Sequence, residues 1–452
     1  MSLERLLNPT SIAVVGASNT TGKIGNLAMK NAQLFDGPAF PVNPSVDTVL
    51  GIEAYEQVTA IEEPIDLALL CVPPGVLPDV IDQCTEANVG GAVIYASGFS
   101  EHSAEGAQLE KELVERATKG NLTLLGPNTS GFINTHRGVY ASFVSDLGEI
   151  PTGNISVIAQ SGGINHVVTF LAASDGIGIA KAVGLGNAAN LGFTDVITHL
   201  DADDMTDAIA LHVEGFSAGR DVMNVCSSVE TPVIMYKVGR ADVSAFASSH
   251  TGAMVGDFDI YRAAAKSAGV PMVESCQELI DAAHLLAEIP NPTGCNVGLV
   301  TGQAGPGIAI ADRLRQSGLR IPSLSDQTLS VVSDCLPGIT YIKNPVDTGQ
   351  PPDLETTDRL LRAIAGDPAI DILLVYQLYE ERIPYPVDTL ASIQQNESLP
   401  VVFGTNGPRE AVDEGVSRLR EHGIASFTSP ERAADAVAIL ASTRERTDEV
   451  PQ

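Results

Sequence analysis

Three times along the chain the same grammar restarts: a β-branched apolar run, a glycine-rich turn, then an amphipathic helical pattern. The runs are SIAVVGASNTTGKIGN from residue 11, NISVIAQSGGINHVVTFLAA from residue 154 and NVGLVTGQAGPGIAIADRLRQ from residue 296. Each reads as a buried strand handing over to a helix, the opening of a βαβ unit. Further strands follow in step: IDLALLCV, GGAVIYAS and LTLLG in the first segment, AIALHVE and PVIMYKV in the second, IDILLVYQ and LPVVFGT in the third. This alternation predicts an α/β protein of three consecutive Rossmann- or flavodoxin-like domains, each a parallel sheet with helices on both faces. A chain of 452 residues is too long for one hydrophobic core. The polar, Pro/Gly-bearing stretches SDLGEIPTGN (145–154) and IPNPTGC (289–295) mark the breaks, giving expected domains at 1–145, 150–290 and 294–445. The closing TRERTDEVPQ reads as a frayed tail.

Charge narrows the partners. Asp and Glu number 56 against 26 Lys and Arg, for a formal charge of −30. Such a field repels nucleic acid and anionic lipid, so neither is expected as a partner. Only eight of the basic residues are Lys. An acid-rich, Lys-poor surface suits a salt-filled cytosol, where screening removes self-repulsion, and predicts a halophilic, haloarchaeal source. No window of about 18 uninterrupted apolar residues occurs, and the N-terminus lacks the regions of a signal peptide. A cytoplasmic location is expected. The six cysteines are scattered and form no CxxC pair, so neither a zinc site nor a disulfide framework is expected.

The first glycine-rich turn, GASNTTGKIG, follows a strand and opens a helix, so its N–H groups can meet an anion. It fails the P-loop pattern: five residues separate Gly16 from Gly22-Lys23, and Ile24 stands where a magnesium-binding hydroxyl is needed. It also fails the dinucleotide fingerprint, because Ser18 replaces the second glycine and the second strand ends at Asn43-Pro44 without a ribose-binding acid. NAD binding is thereby disfavoured. What remains is an open turn at Gly16, Ala17, Ser18 and Lys23, flanked by strand ends at Val72-Pro73-Pro74, Ser97-Gly98 and Asn128. A ligand with a pyrophosphate, a nucleotide and a long arm suits such an edge; tight βα turns without a ligand are the other reading.

The combined pattern resembles the NDP-forming acyl-CoA synthetases. The motifs that carry it are VVGAS, FPVNP, IDLALLCVPP, ASGFSE and LLGPNTSGFIN, then AQSGG, GLGN, VEG and SSHTGA, then AGPG and NPVD. Their order is similar to that of the α subunit of the ADP-forming enzymes. The resemblance implies CoA at the edge just described, a second domain carrying a phosphohistidine, and a third flavodoxin-like ligase domain. It also implies a separate ATP-grasp β subunit that holds Mg2+ and ADP or ATP, in a heterotetramer-like assembly.

On the same grounds His250, in the small-residue stretch ASSHTGAMVGD, is the histidine that takes phosphate. Imidazole titrates near neutrality and attacks an acyl phosphate as a neutral nucleophile. Glu214, past the strand AIALHVE, matches the glutamate that orients that ring. Ser161, Gly162 and Gly163 stand at a helix start, where free N–H groups and the dipole favour an anion. Gly186, Asn187 and Gly252 complete the expected phosphate cradle. Two departures bear on the acid used: Gly163-Ile164 stands where many relatives have Ala-Leu, and GNAANLGFTD lacks their Lys-Ala-Asp. His166 reads as a capping or core residue, with an effect on the acid accepted as the alternative. The rival functions are a non-catalytic CoA sensor of the same fold and a nicotinamide oxidoreductase. TGQAGPG (301–307), with Asn344-Pro345-Val346-Asp347 beside it, is either a further anion loop or a set of structural turns.

Overall fold

The computed structural model describes residues 3–240, 257–289, 292–336, 338, 342–350 and 352–443. His250 and Gly252 lie outside the described residues. The chain divides into two units, Met1–Ile280 and Asp281–Gln452.

The first unit holds two sheets. Strands β1 (Ile12–Val15), β2 (Ala39–Val42), β5 (Leu67–Leu70), β6 (Gly91–Ile94) and β7 (Thr123–Leu125) form a parallel sheet in the order β2-β1-β5-β6-β7. A small hairpin, β3 (Thr48–Val49) with β4 (Ile52–Glu53), follows, and Tyr55 just past it bridges to Val42 of β2. Successive side chains of these continuous apolar runs point to opposite faces: Ile12, Val14, Leu67 and Leu69 enter one core cluster, Ala13, Val15, Ala68 and Leu70 the other. All eight are at most 5% exposed, and burying each large aliphatic among them stabilises the fold by about 1.5–3 kcal/mol.

The second sheet runs β14-β13-β12-β10-β11-β8-β9. Its parallel strands are β10 (Thr152–Ala159), β11 (Ile179–Gly184), β12 (Ala208–Val213), β13 (Val233–Lys237) and β14 (Met272–Val273). The remaining two, β8 (Phe132–Asn134) and β9 (Val139–Ala141), form an antiparallel hairpin that pairs through β8 with the outer edge of β11. This hairpin precedes residue 145, yet it belongs to the second sheet. Its turn closes at Gly138, φ +62°, and Gly131 just before β8 lets the strand ends approach: its φ is +86°, and a Cβ there would sit 1.9 Å from the Ala141 carbonyl. Asn31 secures the hairpin to the first sheet's helix Ile24–Ala32 by donating to the Ser142 and Val144 carbonyls at 2.7 and 2.8 Å.

The second unit carries a third parallel sheet of β15 (Val297–Thr301), β16 (Val346–Asp347), β17 (Ile372–Tyr376), β18 (Val401–Gly404) and β19 (Ala425–Phe427), in the order β16-β15-β17-β18-β19. Within it Arg432 grips the buried Asp281 with two bonds, Nε to Oδ2 at 2.7 Å and Nη2 to Oδ1 at 2.6 Å.

Counted in its own order of parallel strands, each of the three large sheets has the flavodoxin-like arrangement 2-1-3-4-5. Such a sheet changes direction beside its first strand, and the crevice past the carboxyl ends there is where ligands bind. Among the described residues no helix is long and apolar enough to cross a membrane.

Candidate functional site

The carboxyl edge of the first sheet gathers the turns expected to meet CoA. Gly16 follows β1 with φ +83°, and a Cβ there would lie 2.6 Å from the Cys71 carbonyl past β5. Lys23 is exposed at the N-cap position of the helix Ile24–Ala32, which has no side-chain cap. Within that first turn Asn26 N donates to the Lys23 carbonyl at 2.9 Å. Asn43 closes the β2 side: its amide donates to the Ala17 carbonyl at 2.8 Å while its oxygen accepts from Ser45 N at 2.9 Å. Val72-Pro73-Pro74 and Ser97-Gly98 follow β5 and β6, and Asn128 follows β7 with φ 57°. Sequence reasoning missed Gly25, whose Cβ would fall 2.0 Å from the Gly16 carbonyl. It lets the helix approach the β1 turn, the task of the third glycine in a dinucleotide fingerprint. The signal was present as a glycine three positions after Gly22.

In the second sheet the switch lies between β11 and β12, on either side of β10. Ser161 caps the helix Gly162–Ser174 there, its hydroxyl accepting from Ile164 N at 3.4 Å. Gly162 is held by Ser130, whose hydroxyl donates to the Gly162 carbonyl at 3.2 Å. At Gly163 a Cβ would meet nothing closer than Ser161 Oγ at 3.8 Å, so the mouth of the helix is open. Glu214 is half-buried past β12. Gln160, one residue before Ser161, joins the two strand ends by accepting from the N–H groups of Glu214 and Gly215, each at 3.0 Å. The backbone at Glu214 is thus tied directly to the residue before the helix start. Gln303 repeats the device in the third sheet, its oxygen accepting from Leu378 N at 3.4 Å. There Asn344 spends its amide on the Val297 and Pro322 carbonyls and its oxygen on Leu299 N, a structural role for the NPVD turn.

Gly186 and Asn187 follow β11. Gly186 has φ +61°, and a Cβ would stand 2.3 Å from the Pro127 carbonyl. The Asn187 side chain donates to Glu101 Oε2 at 2.6 Å and Glu110 Oε2 at 2.8 Å, and accepts from Asn128 Nδ2 at 3.2 Å. These bonds make Asn187 a clamp between the loops of the two sheets and engage the amide expected to reach phosphate. Glu101 also accepts from Gly98 N at 2.6 Å and Phe99 N at 3.2 Å. Burial opposes its charge, but the bonds from Asn187, Gly98 and Phe99 together outweigh burial and hold its carboxyl below the ordinary value. Neither acid was singled out in the sequence, although Glu101 closes the ASGFSE motif.

Lys237, at the end of β13, was also missed. It is 1% exposed, donates to the Val238 carbonyl and stands 4.7 Å from the centre of the Tyr261 ring. Burial lowers its pKa against the opposing pull of the Glu214 charge, which puts a buried cation within electrostatic reach of the candidate orienting acid. Among the described residues no group of His, Cys, Asp and Glu could hold a metal ion.

Two neighbouring sheets thus present a nucleotide-type edge and an anion-type helix start, joined through Asn187. Residues 10–135 match a CoA binding domain and residues 152–286 a succinyl-CoA ligase-like flavodoxin domain. The chain is 35% identical to the α subunit of acetate–CoA ligase (ADP-forming) II from Pyrococcus furiosus, over 97% of this chain and 97% of that one. It is also 35% identical to the ADP-forming acetate–CoA ligase I of Archaeoglobus fulgidus, covering 99% of this chain but 65% of that longer protein. A solved ADP- and phosphate-bound acetyl-CoA synthetase from Candidatus Korarchaeum cryptofilum superposes with a TM-score of 0.88 at 29% identity, covering 100% of both chains. The chain belongs to the ADP-forming acetyl-CoA synthetase family and corresponds to its α portion.

Proposed function

We propose that this chain is the α subunit of an ADP-forming acyl-CoA synthetase, interconverting acyl-CoA, ADP and phosphate with acid, CoA and ATP. The observation that carries the reading is the placing of Glu214 beside the Ser161–Gly163 helix start by Gln160, with Asn187 tying the neighbouring loop to the first sheet. CoA lies along Gly16, Ala17, Ser18, Lys23, Asn43, Pro44, Val72, Pro73, Pro74, Ser97, Gly98 and Asn128.

The chemistry runs in three transfers. A phosphate oxygen attacks the thioester carbonyl, the C–S bond breaks, and CoA leaves as a thiolate that takes up a proton. The His250 ring then attacks phosphorus and the P–O bond to the acyl group breaks, releasing the carboxylate. Glu214 accepts the hydrogen bond of the other ring nitrogen, fixing the tautomer and steadying the charge that develops on the ring. Ser161, Gly162 and Gly163 supply N–H donors and the positive helix end to the phosphate oxygens, with Gly186, Asn187 and Gly252 as the facing loops. Finally an ADP oxygen takes the phosphoryl group from His250 as the P–N bond breaks. Nucleotide and Mg2+ belong to a separate ATP-grasp β subunit, in a heterotetramer-like cytoplasmic assembly. Along the chain we divide the work among a CoA domain at 1–145, a phosphohistidine domain at 150–290 and a ligase domain at 294–445.

The test is labelling with γ-32P ATP after co-expression with the β subunit. Wild type is expected to carry acid-labile phosphate and to form ATP from acyl-CoA, ADP and phosphate, and His250→Ala to do neither. Label retained by His250→Ala overturns the reading. CoA binding by a wild type that never takes label favours the non-catalytic CoA sensor.

A further inference from the structure

The helix that opens at Ser161 buries two polar side chains in its first two turns. Asn165 is 1% exposed and His166 8%, and neither the amide atoms of Asn165 nor the ring nitrogens of His166 have a hydrogen-bond partner. Their backbone carbonyls are occupied, both accepting from Thr169 Oγ1, at 3.1 and 3.0 Å. His166 makes a ring contact with Phe170, centroids 6.2 Å apart, which satisfies no polar atom. Buried polar groups are ordinarily paired, and four unpaired atoms on adjacent residues are a standing cost to the fold. A site that meets a polar ligand only when occupied accounts for such a cost.

Geometry says where the ligand enters. In a helix each Cα–Cβ bond tilts toward the N-terminus, and side chains lie over the preceding turn. Asn165 follows Ser161 by four positions and Gly162 by three; His166 follows Gly162 by four and Gly163 by three. Asn165 therefore lies over Ser161 and Gly162, and His166 over Gly162 and Gly163, the residues of the helix start. Burial lowers the His166 pKa to about 4, so near neutrality the ring offers one donor and one acceptor and no charge. Asn165 likewise offers an amide donor and a carbonyl acceptor without charge. This pair complements a hydroxyl group and supplies no cation for a second carboxylate.

We propose that Asn165 and His166 line the acyl pocket and select an acyl group bearing a hydroxyl substituent over its unsubstituted counterpart. The proposal rests on the reading of the Ser161–Gly163 helix start as the phosphate cradle. An acyl phosphate seated there carries its acyl carbon next to the helix start over which both side chains lie. The alternative occupant of the same atoms is a buried water, which leaves no preference between the two acyl groups.

The experiment is calorimetric titration of the full chain, in phosphate, with CoA, butyryl-CoA and 3-hydroxybutyryl-CoA. Wild type is expected to bind the hydroxyacyl thioester at least about tenfold more tightly than butyryl-CoA. Asn165→Leu and His166→Leu are each expected to bring that ratio close to one, to leave CoA affinity within about twofold, and to raise the melting temperature by removing unpaired polar atoms. His166→Gln, which keeps a donor and an acceptor, is expected to retain part of the preference. Equal affinity of wild type for the two thioesters overturns the proposal. So does a preference that survives both Leu variants, or lower melting temperatures with the preference intact, which report a purely structural pair. Failure of CoA itself to bind would instead overturn the assignment of the CoA edge.

Discussion

Gln160 and Glu214 are 54 positions apart in sequence, yet the side-chain oxygen of Gln160 accepts the backbone N–H of Glu214 at 3.0 Å. The same oxygen accepts Gly215 N at 3.0 Å, while Gln160 N donates to the His212 carbonyl at 3.1 Å. One residue therefore fixes the spacing of β10 and β12 at the switch between them. Gln160→Leu strands two N–H groups, and leaving a buried donor unpaired costs about 1–3 kcal/mol. Urea denaturation is expected to show a loss of that order, together with weaker phosphate labelling. Unchanged stability would mean that the two N–H groups find water and that the pin is dispensable.

Gly25 and Gly22 make a paired test of the CoA edge. A Cβ at Gly25 would sit 2.0 Å from the Gly16 carbonyl, a backbone atom that cannot step aside, whereas at Gly22 it would meet nothing within 4 Å. Gly25→Ala should push the helix off the β1 turn, cost about 1–3 kcal/mol or more, and weaken CoA binding at least about tenfold. Gly22→Ala suffers only from its φ of +84°, a strain of about 1–2 kcal/mol. Calorimetry with CoA distinguishes them, and equal effects would rule out close packing as the cause.

The Asn187–Glu101 clamp gives a pH dependence of known sign. The Glu101 carboxyl is held below its ordinary value of 4.5. A carboxyl depressed by folding contributes stability above the unfolded value and loses it as pH falls through the folded one. From about pH 6 down to about pH 3, wild type is expected to lose melting temperature faster than Glu101→Gln, so that the two curves approach each other. Parallel curves would show that the carboxylate charge does not hold the clamp.

A formal charge of −30 predicts a strong response to salt. At 1 M ionic strength the Debye length is about 3 Å, against about 10 Å at 0.1 M, so repulsion across the surface is largely removed. The melting temperature is expected to rise between dilute buffer and molar KCl. Equal stability in the two would count against a halophilic source.

Much of this architecture could be read directly from residue patterns. SIAVV, NISVIA and NVGLVT each open a sheet as β1, β10 and β15, because a fully buried parallel strand writes itself as a continuous apolar run. The turn past β10 was legible too, since AQSGG stands between an apolar run and a helical pattern. Contacts between distant turns were not. Gln160 reads as an ordinary polar residue, and only the arrival of Glu214 gives it work. Glu101 and Asn187 lie 86 positions apart and meet only because two sheets pack together. The β8 strand GFIN carries no mark of which sheet it joins, for pairing partners are chosen in the tertiary structure. His166 reads in the sequence as a capping or core residue, and only the fold shows that Asn165 beside it is buried as well.

The β8–β9 hairpin has a consequence for anyone who would recombine such proteins. A gene cut at the polar stretch 145–154 would deliver a fragment with two strands bound for a sheet left behind. It would also leave β11 with a bare edge, ready to pair with any exposed strand. The first two sheets are dovetailed through this hairpin, and a working chimera must inherit both as one cassette.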